Sequence, residues 1–119
     1  MMVWVHFVAY GFGGLFLINA VPHLVSGVMG RPFQSPFAKP RGEGYSSSTL
    51  NVVWGALNAA IGYLLLVHVG AFDLRRPEHV AAAAIPAFLG ALFLARRFGQ
   101  HNGGNSPLEA QAERDAAGP

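Results

Sequence analysis

The sequence predicts an all-α integral membrane protein, a bundle of three spanning helices followed by a mobile polar C-terminal tail. Three observations carry this reading. Of the 119 residues, 52% are hydrophobic and only 12% charged, against roughly a quarter charged in soluble domains. The eight basic and six acidic side chains fall into three short tracts, Arg31 to Glu43, Asp73 to Glu78, and Arg96 to Asp115. Between the tracts lie uncharged runs whose lengths suit a bilayer.

The first run, Met1 to Met29, holds 29 residues and the second, Thr49 to Phe72, holds 24. A helix rising about 1.5 Å per residue needs roughly 20 residues to cross the hydrocarbon core. Both are long enough. MMVWVHF is uncharged, and the apolar run behind it is too long for a secretory signal peptide, so the first helix is expected to stay in place over about residues 3–29.

The loop that follows, GRPFQSPFAKPRGEGYSSST, carries prolines at 32, 36 and 40, with Phe33 and Phe37 behind two of them. Each proline fixes its own φ and biases the preceding residue toward extended geometry, so a stiff, non-helical strip is expected. Its two aromatics suit docking on the bilayer interface or on the end of the bundle. Ser46, Ser47, Ser48 and Thr49 then offer N-caps for a second helix over about 49–71.

Pro77 and Glu78 mark the first turn of a third helix, over about 78–97. There a missing N–H costs nothing, and a carboxylate faces the positive end of the helix dipole. The uncharged run His79 to Ala95 holds 17 residues, at the short limit, and the stems of Arg96 and Arg97 can reach back to the headgroups. Residues 1–98 thus read as a transmembrane domain. The polar, breaker-rich tail 99–119 reads as flexible. Ser106-Pro107-Leu108-Glu109 fits a capping box, yet the segment behind it is too short for a stable isolated helix.

With three spans, the first loop and the tail share one side of the membrane. That side carries Arg31, Lys39, Arg41, Arg96 and Arg97, whereas Arg75 and Arg76 opposite are offset by Asp73 and Glu78. An excess of Lys and Arg marks the cytoplasmic side, so the N-terminus is expected outside and the C-terminus in the cytoplasm. A net charge of +2 divided among the tracts does not make a nucleic-acid-binding surface. The absence of cysteine excludes a disulfide framework, a thiolate nucleophile and Cys-ligated metal sites.

Polar residues inside the runs locate a candidate site. At about 100° per residue, Asn19, His23, Ser26 and Gly30 fall on one arc of the first helix, and Asn51, Gly55, Asn58 and Gly62 on one face of the second. Small residues and side-chain hydrogen bonds drive helix association in lipid, so the two stripes are expected to face each other, with Asn19 and His23 bonded to Asn51 and Asn58. Pro22 frees the Ile18 carbonyl, for which Asn58 is a candidate partner. Structural glue is the commoner role for such residues, and a ligand or proton-handling role for His23 is the sharper one.

His6, His68 and His79 all fall at the opposite end, near Asp73 and Glu78. Three imidazoles at one level can form a metal site or offer axial haem ligands, although their spacing requires neither. GFGG at 11–14 lacks the ending of a phosphate loop and reads as close packing. No carboxylate pair, Ser/His/Asp set or acidic metal cluster falls within the spans, which argues against hydrolytic chemistry and gives no catalytic residue.

Asn19-x-x-Pro22-His23, Gly30-x-Pro32-Phe33-x-x-Pro36-Phe37 and Asn51-x-x-Trp54-Gly55-x-x-Asn58 together resemble a group of small bacterial integral membrane proteins with no assigned activity. The resemblance covers about residues 19–62. It implies a multi-pass protein of the bacterial cytoplasmic membrane and carries over no catalytic residue.

The function expected is therefore non-enzymatic and cofactor-free: an accessory or assembly subunit packing against a membrane protein complex or copies of itself. Ala83, Ala87, Gly90 and Ala91 of the third helix suit such a contact. A haem- or quinone-binding anchor using His23 or the other histidines is one alternative. A small oligomeric transporter or channel lined by the asparagines is another, weakened by the lack of a membrane-buried charge.

Overall fold

The computed structural model describes residues 3–118; residues 1, 2 and 119, at the ends of the expected domain and tail, lie outside the described residues. Helix α1 (Val3–Val28) leads into a short antiparallel hairpin of β1 (Phe33–Gln34) and β2 (Tyr45–Ser46), then α2 (Ser48–Leu64), which widens into a π-helical turn over Leu65–Val69. Helices α3 (Pro77–Asn102) and α4 (Pro107–Ala117) complete the chain.

The fold is all-helical apart from the hairpin, and three helices are long and apolar enough to cross a membrane. Its interior is the reverse of a soluble core. The buried apolar side chains are Ala9, Tyr10 and Ala20, whereas His23, Gln34, Ser35, Ser46, Asn51 and Asn58 are all buried. Large apolar residues point outward, including Phe12, Val25, Leu57, Ile85, Phe88 and Leu92. A hydrocarbon solvent favours that inversion, because polar groups must be satisfied inside the protein.

Helix α1 is the centre of the bundle. Helices α2 and α3 both pack along it and scarcely touch each other. Small residues set both seams. A Cβ on Gly13 would come 2.8 Å from Leu66 and 3.2 Å from the Gly62 carbonyl, and one on Gly55 would come 2.9 Å from the Leu24 amide nitrogen. On the other flank a Cβ on Gly14 would overlap the Ala83 carbonyl, and one on Gly90 would meet Leu15 at 2.9 Å. Close backbone approach of this kind replaces the hydrophobic drive that lipid removes.

The seam with α3 corrects one expectation. Ala83 and Gly90 lie against α1 rather than on a free surface. The exposed face of α3 includes large side chains, among them Ile85, Phe88, Leu89 and Leu92.

The ends of the helices follow local chemistry. Helix α1 stops at Gly30, whose φ of 72° suits glycine; there the Arg31 amide donates to the Ser26 carbonyl at 2.9 Å. Ser47 caps α2, its Oγ accepting from the Leu50 amide at 3.1 Å. Pro77 occupies the first turn of α3 with Glu78 beside it.

Helix α2 does not run on as a regular helix to residue 71. Its last turn widens at Leu65–Val69, and the chain leaves at Gly70, packed on the Tyr10 ring so closely that a Cβ there would overlap it. The Ala71 amide then donates to the Tyr10 hydroxyl at 3.1 Å.

Helix α3 also runs beyond residue 97, to Asn102. Side-chain bonds from the hairpin hold its final turn. The tail differs as well: Pro107–Ala117 is helical. Ser106 makes no side-chain cap there, so the capping box read from the sequence does not form. Pro107 and Glu109 in the first turn still match the helix dipole, whereas Arg114 in the last is offset by Asp115 beside it.

Candidate functional site: a polar seam closed by a hairpin

The asparagine and histidine stripes meet. Asn19 Nδ2 donates to Asn58 Oδ1 at 3.0 Å, and His23 Nδ1 lies 2.7 Å from Asn51 Oδ1. Gly55 lies between the two pairs on α2, against Leu24 of α1. Asn58 Nδ2 donates to the Trp54 carbonyl of its own helix at 2.8 Å. Among the described residues, no bond runs from Asn58 to the Ile18 carbonyl that Pro22 frees.

Asn51 does more than join two helices. Its Nδ2 lies within 3.2 Å of the Phe33 and Ser46 carbonyls and 3.0 Å from that of Ser47. One side chain thus fastens both strands of the hairpin to the start of α2. With its nitrogen fixed toward three acceptors, the amide presents Oδ1 to His23, so His23 Nδ1 carries the proton of that bond. In a neutral imidazole this tautomer leaves Nε2 as the acceptor.

His23 touches every layer of this end. Its ring meets Phe33 of the hairpin at 5.6 Å, Phe98 of α3 at 6.1 Å and Trp54 of α2 at 6.4 Å, all edge to face. Phe37 packs edge-on against Trp54 at 5.1 Å. The two loop aromatics therefore dock on the end of the bundle. Within the loop Ser35 Oγ bonds Ser46 Oγ, and the Ser35 carbonyl accepts from the Gly42 amide at 2.9 Å.

A second latch joins the hairpin to α3. Asn102 Nδ2 donates to Gln34 Oε1 at 3.1 Å, and Gln34 Nε2 returns a bond to Asn102 Oδ1 at 3.4 Å. Asn102 also donates to the Phe98 carbonyl at 2.9 Å. Sequence reading missed Gln34, Ser35 and Asn102. The available signal was a polar pair, Gln34-Ser35, set between aromatic and proline residues in an otherwise stiff loop.

The hairpin roofs a cleft of about 190 Å³ whose floor is Asn19 and His23 of α1. Trp54 stands on one wall, and Phe93, Phe98 and Arg97 of α3 on the other. Trp54 Nε1 is buried with no hydrogen-bond acceptor. The cleft exists because α2 and α3 do not close over α1.

At the opposite end His6 and His79 line one cavity with Tyr10, Asp73 and Glu78. His79 Nδ1 accepts from the Asp73 amide at 3.0 Å, and its ring lies 4.7 Å from that of Tyr10. His68 does not join them; it packs against Tyr63 at 5.8 Å. Among the described residues, no group of three or more His, Asp or Glu side chains is placed to hold a metal ion.

No protein family, no curated protein and no solved structure matches this chain.

Proposed function

We propose that this is a non-catalytic, multi-pass protein of a bacterial cytoplasmic membrane, an accessory or assembly subunit that packs against a membrane protein complex or its own copies. The observation that carries this reading is the open layout, in which α2 and α3 flank α1 and scarcely meet. A chain that does not enclose itself leaves a long apolar flank, with Ile85, Phe88, Leu89 and Leu92 of α3 exposed. Knobs of that size fit grooves between neighbouring helices.

The polar groups support the same reading. Asn51 and Asn58 are 0% and 1% exposed, and both are bonded inside the chain. Side chains held this way stiffen a scaffold and do not line an open ion path. The N-terminus faces outward and the C-terminus the cytoplasm, by the excess of Arg31, Lys39, Arg41, Arg96 and Arg97 at the hairpin end.

Purification of the full chain in a gentle detergent, with native mass spectrometry and an absorption spectrum of the same sample, tests the proposal. The expected result is a complex with a second membrane protein or a defined homo-oligomer, and no Soret band. A stable isolated monomer sinks the subunit reading. A Soret band lost on changing His23 replaces it with a cofactor anchor.

A further inference from the structure

The cleft beneath the hairpin has a charge that the rest of the chain leaves unanswered. Arg97 stands half-buried on its wall, and its guanidinium abuts Gly42 of the loop. Among the described residues it has no carboxylate partner; the ion pair present, Arg76 with Glu78 at 2.7 Å, lies at the other end of the molecule. Across the cleft stands the ring of Trp54. The cleft lining holds no carboxylate, and a half-buried cation calls for an anion.

Depth narrows the choice of anion. Arg97 lies twenty residues after Pro77 on a continuous helix, about 30 Å at 1.5 Å per residue, the thickness of the hydrocarbon core. That places its guanidinium at headgroup level. Guanidinium groups take phosphate oxygens in a bidentate fork, and basic pockets between spanning helices suit phospholipid headgroups. Below the charge, Phe93 on the cleft wall and Leu89 one turn deeper are 66% and 59% exposed, an apolar strip on which acyl chains can lie.

We propose that this cleft binds the phosphodiester of an anionic phospholipid, with Arg97 taking the phosphate, the Trp54 ring forming the opposite wall, and the chains lying along Phe93 and Leu89. Haem or another large ring does not fit a space of about 190 Å³. A phosphate with its ester links does. The site is independent of whether the chain is a subunit or a homo-oligomer.

Trp54 supplies its own reporter. The chain has two tryptophans, so Trp4→Phe leaves Trp54 as the only indole, and its emission in detergent is titrated with dioleoylphosphatidylglycerol, dioleoylphosphatidylcholine, glycerophosphoglycerol and inorganic phosphate. Saturable change is expected with phosphatidylglycerol, at least tenfold weaker with phosphatidylcholine, and absent with the two chainless probes. Arg97→Gln weakens the phosphatidylglycerol response at least tenfold, whereas Arg96→Gln, on an exposed neighbour outside the cleft, leaves it within twofold.

Equal responses to the two lipids, or equal effects of the two arginine changes, overturn the proposal. An equal response to inorganic phosphate overturns the lipid in favour of a soluble anion. Should Arg97→Gln not assemble, Arg97→Lys decides: a point charge without the fork is expected to bind severalfold more weakly, and unchanged affinity refutes the bidentate contact.

Discussion

Asn51 Oδ1 sits 2.7 Å from His23 Nδ1 while the nitrogen of the same amide reaches three backbone carbonyls on the hairpin and the helix start. One side chain therefore joins α1, both hairpin strands and α2. Replacing it with leucine leaves several buried polar groups unmatched, each costing about 1–3 kcal/mol. Asn51→Leu is expected to destabilise the protein by at least about 2 kcal/mol. Unfolding in mixed micelles measures this, and a loss under about 0.5 kcal/mol refutes the account.

The neighbouring pair is a weaker tie. Asn19 and Asn58 share one interhelical bond, and such bonds average about 0.6 kcal/mol in membranes, with a maximum near 1.7. Asn58→Leu is expected to cost within that range and less than Asn51→Leu. The reverse ranking in the same unfolding assay contradicts the geometry.

Gly14 and Gly11 give a matched test of the seam between α1 and α3. A Cβ on Gly14 would overlap the Ala83 carbonyl, which is backbone and cannot rotate aside, whereas one on Gly11 would meet Pro86 at an ordinary 3.6 Å. Gly14→Ala is expected to cost about 1–3 kcal/mol by overpacking and to widen the α1–α3 distance between spin labels. Gly11→Ala should leave both stability and distance close to those of the parent.

Gly30 isolates a backbone effect. Its φ is 72°, and nothing lies within 4 Å of a Cβ placed there. Gly30→Ala is expected to cost about 1–2 kcal/mol from the left-handed conformation alone, with Gly30→Asn recovering part of it. Equal stability of all three residues argues that the turn rearranges.

Tyr10 tests the far end. Its hydroxyl accepts from the Ala71 amide at 3.1 Å where α2 has widened. Tyr10→Phe removes that acceptor and keeps the ring, so faster hydrogen exchange at Ala71, with a stability loss of about 1 kcal/mol, is expected. Unchanged exchange shows that the bond does not hold the loop.

The spans and the two polar stripes were legible because they rest on local periodicity: charge-free length for the helices, and steps of three or four for Asn19, His23, Asn51, Gly55 and Asn58. What escaped was non-local. The reach of α3 to Asn102 depends on Gln34, a residue in a different loop. The widened turn at Leu65–Val69 lies beside Tyr10, a tyrosine on a different helix. The three histidines at the end opposite the hairpin read as one level, yet His68 turns to Tyr63 instead, because depth along a helix says nothing of direction around it. The helicity of 107–117 ran against its short length, and its proline start and the Glu109 carboxylate in its first turn are the local features that favour it.

The latch between Gln34 and Asn102 joins residues 68 positions apart, and this has a consequence for biogenesis. A ribosome releases the hairpin long before the asparagine that ties it to α3. An insertion intermediate ending short of Asn102 therefore lacks the tie to α3 and keeps only those within α1, α2 and the hairpin, so the exposed Arg41 is expected to be cut by trypsin faster there than in the finished chain. Slower cleavage at Arg41 thus becomes a clock for arrival of the third helix.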